Sequence, residues 1–139
     1  MSEQQKVLEG ALEFDERLRT VAKIDGRYDH EAYKFVFEGL NQTLSGMSEQ
    51  RHVTASELLA GIKELAKDKF GFLARTVFEN WGLRSTSDFG EIVFTLVGYG
   101  LMGKTDSDRR EDFDNVYEFK QALDEDYIAE LAQKVKIKA

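Results

Sequence analysis

The sequence predicts a mainly α-helical, single-domain bundle of five to six helices packed around one buried central helix. Three observations carry that expectation. Apolar residues recur at helical spacing along most of the chain, helix-capping signals precede several of these stretches, and no Pro, Gly or Ser cluster separates two apolar regions. A chain of 139 residues suits one domain over residues 1–139, and 42% hydrophobic with 12% aromatic content is enough to fill one core.

In the first segment, over about residues 3–24, Val7, Ala11, Phe14, Leu18 and Val21 step by 4, 3, 4 and 3 and therefore share one stripe. Gly10 weakens its start, and Asp25-Gly26 should end it. Asp29 can cap a second helix in which Tyr33, Val36, Phe37, Leu40 and Leu44 share a face, closed by Ser45-Gly46. Thr54-Ala55-Ser56-Glu57 is a capping box, because hydroxyl and carboxylate can each take the other residue's backbone N–H. It opens a third helix with Leu58, Ile62, Leu65 and Ala66 inward, broken at Phe70-Gly71. A fourth helix with Leu73, Val77, Phe78 and Trp81 inward runs to Gly82, suited to a left-handed cap.

The fifth helix, from about Asp88 to Leu101, is apolar almost all round and belongs in the centre of the core. Gly100 and Gly103 end it. Beyond lies a charged stretch in which Lys104-Thr105 and Val116-Tyr117 are candidate short strands, giving a small β-hairpin over 104–119. Helix, helix, turn, buried helix and hairpin is the order of a winged helix; a plain bundle with an irregular charged loop is the alternative. Ile128, Leu131 and Val135 mark a last helix over about 124–135.

With 19 basic and 26 acidic residues the formal charge is −7, which repels phosphate backbones and makes nucleic acid a disfavoured partner. The absence of Cys removes disulfides, thiolate nucleophiles and sulfur-ligated zinc, and fits a cytoplasmic location. The N-terminal residues lack the apolar run of a secretory signal. The most apolar window, Ile92 to Met102, is 11 residues long, about half of the ~20 that a spanning helix requires. No membrane association is expected.

The sharpest motif is Gly98-Tyr99-Gly100-Leu101-Met102-Gly103-Lys104-Thr105, which fits G-x-x-x-x-G-K-[ST]. In a phosphate-cradling loop Gly98 and Gly103 would let backbone N–H groups approach the phosphates, Lys104 would reach them and Thr105 would hold magnesium. Such a loop follows a strand and opens a helix, yet here a charged stretch without an apolar stripe follows Thr105. The acidic group from Asp106 to Asp114 does not fit a calcium loop, since Arg110 and Glu111 fall where a ligand and Gly are needed. His30 and His52 stand outside any zinc motif, and no Ser lies in G-x-S-x-G. As a DNA-reading helix, Asp88 to Leu101 presents no basic residue. Arg84, Lys104, Arg109 and Arg110 are the nearby cations and the candidate partner-binding residues.

Several strings resemble a small family of uncharacterised bacterial proteins seen in planctomycetes and verrucomicrobia. They include Tyr28-x-x-Glu31-Ala32-Tyr33-x-Phe35-Val36, Arg51-His52-Val53-Thr54, Glu57-Leu58-Leu59-x-Gly61-Ile62, Phe70-Gly71-x-Leu73-Ala74, Trp81-Gly82, Asp88-Phe89-Gly90-Glu91-Ile92-Val93-Phe94 and Arg110-Glu111-Asp112-Phe113. The resemblance spans about residues 27–119 and implies no activity, because that family has none assigned. The chain departs from it at Asp29 and Phe72, where the family tends to have Pro, and at Gly98, where it favours an acidic residue.

The leading expectation is a non-enzymatic protein–protein interaction module with a protein partner and no cofactor or metal. A winged-helix-like nucleic-acid-binding or regulatory protein is the first alternative, and a nucleotide-binding enzyme using Gly98, Gly103, Lys104 and Thr105 the second.

Overall fold

The computed structural model describes residues 2–49, 51–103 and 109–138, with side chains to residue 136. Six α-helices lie among them: α1 (Glu3–Asp25), α2 (His30–Ser45), α3 (Ala55–Phe70), α4 (Ala74–Asn80), α5 (Thr86–Gly98) and α6 (Asp126–Lys138). Gly71–Leu73 and Arg110–Phe113 form 3-10 turns, and a π-helical turn over Lys120–Glu125 leads into α6. The fold is all-α, with no strand among the described residues.

Local chemistry sets the helix ends. Ser2 and Gln5 form a capping box at the start of α1, and Gly26 ends it in the left-handed region at φ 73°. The Asp29 carboxylate accepts the N–H of Glu31 at 2.9 Å and opens α2. The expected Thr54/Glu57 box opens α3, with both reciprocal hydrogen bonds made at 3.0 and 3.2 Å.

α2 and α3 form the closest helix pair, and glycine makes it possible. A Cβ on Gly39 would stand 2.6 Å from Ile62 Cγ1, and one on Gly61 would stand 2.0 Å from Thr43 Oγ1. The core centres on Phe78, whose ring meets Phe35, Phe89 and Phe119 at 5.7, 5.2 and 5.3 Å. On α5, Phe89, Gly90, Ile92 and Leu96 are buried, while Val93, Phe94 and Val97 are half-buried. The helix is thus covered along one face rather than all round.

The described residues do not support the winged-helix and hairpin expectations. Lys104 to Asp108 lie outside the described residues, and Arg110–Phe113 form a 3-10 turn rather than part of a ladder. The backbone beyond it bonds to a side chain: buried Thr86 donates from Oγ1 to Phe113 O at 2.6 Å and accepts the Val116 N–H at 3.2 Å. Asn115 takes φ 52°, and the Tyr117 hydroxyl reaches back to Leu59 O at 2.7 Å.

Other inward expectations also change. Leu73 is exposed, because the 3-10 turn starting at left-handed Gly71 shifts the phase between α3 and α4. Ile128 and Val135 are exposed on α6. That helix is tied to α3 by buried Lys67, which donates to Glu130 at 3.0 Å and Glu64 at 2.9 Å. Val7 and Ala11 are exposed too, since only Leu18, Val21 and Ala22 of α1 are buried.

Two outcomes test this packing. Gly39→Ala should improve helix propensity by up to about 1 kcal/mol, but the collision with Ile62 should dominate and lower stability by about 1–3 kcal/mol in urea denaturation. Glu57 is held down to about 2 from 4.5, first by its hydrogen bonds from Arg51 and then by the Thr54 N–H. A depressed carboxylate stabilises above its unfolded value. The stability gap between wild type and Glu57→Gln should therefore be full above pH about 4.5 and close as pH falls through about 2.

Candidate functional site

Three surfaces concentrate chemistry. The first is a polar network where the α1–α2 turn meets α5. Arg27 donates from Nε to Asp25 at 2.9 Å, from Nη1 to Glu91 at 3.0 Å and from Nη2 to Thr95 at 3.3 Å. Tyr33 donates its hydroxyl to Asp25, and Tyr28 donates to Asp88 at 2.7 Å. Burial, with the carboxylate beside each, pushes both phenols well above the ordinary tyrosine range. The Asp88 carboxylate also accepts the N–H groups of Arg84 and Ser85 at 2.7 and 3.1 Å. Arg110 completes the network on Glu91 at 3.2 Å, its guanidinium 5.5 Å from the Phe94 ring centre. Each carboxylate here already has partners, so the arrangement ties the α1–α2 turn to α5.

The second surface is an open cleft of about 530 Å³ between α4, the turn before α5 and residues 115–121. Arg75, Arg84 and Lys120 line it together with Glu79 and Glu118, and no histidine is among the described residues that line it. Arg75 is engaged by Asp124 at 2.7 Å, which leaves Arg84 and Lys120 without a side-chain partner among the described residues. Cations and anions share the lining, so the cleft selects neither charge.

The third surface is the N-terminal half of α1. Leu18, Val21 and Ala22 pack on the body, and Phe14 meets Phe37 edge-on at 4.9 Å. Further towards the N-terminus the same stripe continues with nothing beneath it. Val7 is 71%, Leu8 59% and Leu12 57% exposed, and Val7, Leu8 and Ala11 line an open depression of about 420 Å³. Nearer the body, a groove of about 490 Å³ runs between Arg17 and Val21 on α1 and Tyr99 and Leu101 after α5.

The structure scatters the residues singled out from sequence. Arg84 lies on the cleft and Arg110 in the network, while the Arg109 N–H donates to Asp112 at 2.9 Å. Gly98 is the last residue of α5, and Gly100 turns the chain at φ 74°, so a helix rather than a strand leads into the phosphate-loop-like string. Gly103 is exposed, and Lys104 and Thr105 lie outside the described residues. His30 faces Asp15 at 3.3 Å, and His52 is exposed. No group of three or more metal-ligating side chains occurs among the described residues, and no helix there is long and apolar enough to cross a membrane.

Sequence reasoning missed the network and the bare face of α1. The network joins positions about 60 residues apart, such as Tyr28 and Asp88, and leaves no local signal. The bare face did leave one: Leu8 and Leu12 widen the apolar sector of α1 beyond the stripe that α2 needs.

No family model, curated protein or solved structure matches the chain.

The network predicts a capping defect. Asp88→Ala should lower stability by about 1–2 kcal/mol in urea denaturation. Faster amide exchange at Arg84 and Ser85 should accompany it, because both N–H groups lose their acceptor.

Proposed function

We propose that this chain is a non-enzymatic protein–protein interaction module that binds through the exposed N-terminal face of α1. The observation supporting this is the continuity of the stripe. The stripe that buries the C-terminal end of α1 continues towards its N-terminus as Val7, Leu8 and Ala11, all exposed on a capped helix. A contiguous apolar patch rimmed by charge, on an element too well formed to fold away, is the surface that an interaction partner covers.

The winged-helix alternative rested on a hairpin, and the turn at 110–113 and the backbone around Thr86 are arranged otherwise. The nucleotide alternative rested on a loop that here follows a helix. Of the cations first considered for partner contact, Arg84 lines the cleft and supplies a second, polar point of contact.

Replacing Leu8 with a photoreactive amino acid in the full chain and illuminating in cells should give a protein adduct, either with another copy or with a different protein. The same substitution at Gln42, exposed on α2, should give none. A chain that forms no protein adduct at position 8 overturns the reading.

A further inference from the structure

We propose that the bare face of α1 pairs with the same face of a second copy of this chain, antiparallel, so that the partner is the protein itself. The inference rests on the interaction reading above and identifies its occupant.

The pattern of α1 specifies the pairing. Gln4, Val7, Ala11 and Phe14 recur at spacings of three and four, which is a seam that another helix can enter. In the antiparallel register where Val7 meets Ala11 of the second copy, large faces small in the two central layers, and Gln4 meets Phe14 in the two outer ones. The residues flanking that seam then fall into self-complementary positions. On one side Leu8 lies against Leu8, and on the other Gly10 lies against Gly10 and Glu3 against Arg17, at both ends of the pair. Lys6, Glu9, Glu13 and Glu16 point away, so the acidic excess of the helix stays in solvent.

Three observations favour a second copy in this orientation. Charge complementarity is the first: Glu3 and Arg17 are the charges on the Gly10 flank, and the antiparallel register pairs them. A parallel pair would set Glu3 near Leu8 and Gly10 near Asp15, with no ion pair gained. Arg17 is free to exchange partners, since its contact to Glu13 at 3.1 Å has both side chains more than 60% exposed. Second, Gly10 has nothing within 4 Å of where its Cβ would be, so the body gives no reason for a glycine inside this helix. Opposite its own copy it removes bulk where two helices approach. Third, a groove walled by Tyr99 and Leu101, and lined by Glu13 and Glu16 as well as Arg17, opens on the Arg17 flank of α1, the flank on which the proposed register sets the second copy's Glu3. An overlap of about 11 residues spans roughly 16 Å. Such an area falls at the small end of specific interfaces, so the dimer should be weak and concentration-dependent.

Sedimentation of the full chain from about 10 μM to about 1 mM covers the range in which such interfaces form. The wild type should shift from monomer to dimer across it. Leu8→Glu, which places two carboxylates against each other, should weaken dimerisation at least about tenfold. Glu9→Gln, on the opposite side of the helix from the seam, should leave it unchanged. Glu3→Arg and Arg17→Glu should each weaken the dimer, and the two together should restore it. Circular dichroism confirms that each variant keeps its helices. A chain that stays monomeric throughout overturns the inference, as does a dimer that the double charge reversal fails to restore. If the monomeric chain still gives an adduct at position 8 with a different protein, the interaction reading stands and only the second copy is excluded as its partner. If there is neither adduct nor dimer, both fall.

Discussion

The burial of Phe78 is the contact on which the rest of the molecule depends. It sits on α4, a helix of seven residues, which is too short to persist alone in water. Its ring brings Phe35 of α2, Phe89 of α5 and Phe119 before the π-helical turn into one edge-to-face cluster. A buried Phe contributes about 2–3 kcal/mol, and each such ring pair adds about 0.5–1.5 kcal/mol. Once these four segments converge, the turns on either side of the cluster must meet. The Asp29 N–H donates to Trp81 O at 2.9 Å, and a Cβ on Gly82 would stand 2.9 Å from Arg27 O. Glycine at φ 92° therefore satisfies both the turn and the close approach. Arg27 and Tyr28 are then delivered to α5, where Glu91 and Asp88 receive them.

What the sequence makes legible is what short-range chemistry decides. The Asp29 cap, the Thr54 box and the left-handed Gly26 and Gly82 each act within a few residues, and each stands where spacing placed it. The buried face of α3 follows from periodicity for the same reason, whereas on α2 Tyr33 and Val36 are buried as expected but Phe35 and Gly39 are buried in place of Phe37, Leu40 and Leu44, which are half-buried. Leu73 was misplaced because one 3-10 turn changes the phase of everything after it. The stretch from Phe113 to Tyr117 was misplaced because its backbone partners belong to Thr86 and Leu59, which no local pattern announces. The candidate site was less legible than the fold. Cations were chosen by their nearness in sequence to the Gly98–Thr105 string, and folding sent Arg110 and Arg84 to different surroundings.

That dispersal has an electrostatic cause. Acidic residues outnumber basic ones, 26 to 19, so carboxylates compete for cations. Arg27 serves Asp25 and Glu91 together, while Glu91 holds Arg27 and Arg110. Lys67, buried between Glu64 and Glu130, shows the same sharing. Burial alone would lower its ammonium, but the two carboxylates hold it above the ordinary lysine value. Cations used in this way fasten the α1–α2 turn to α5 and α3 to α6. The cations named from sequence as partner-binding candidates do not gather into one patch among the described residues, and apolar surface becomes the more distinctive exterior feature.

The helical order of α1 beyond the body does not by itself account for its composition. The Ser2/Gln5 box closes its free end, and pairs such as Glu13–Arg17 and Asp15–Arg19 each add a few tenths of a kcal/mol. A helix nucleated on buried Leu18, Val21 and Ala22 can propagate outward on such terms with polar residues at every position. Val7, Leu8 and Ala11 therefore do nothing for the monomer that Gln or Lys would not do as well. A single exposed Leu is ordinary in any protein surface. Three apolar residues in the same sector, in register with a stripe that is buried a few turns later, form a continued seam, and a seam has meaning only against a second surface. Among the described residues none covers it, and α2, which packs on the C-terminal half of α1, makes its other contacts with α3 and α5. The constraint that shapes the body therefore also defines what is left over: α1 is longer than the core it helps to close, and its N-terminal half carries apolar residues that the described body does not bury.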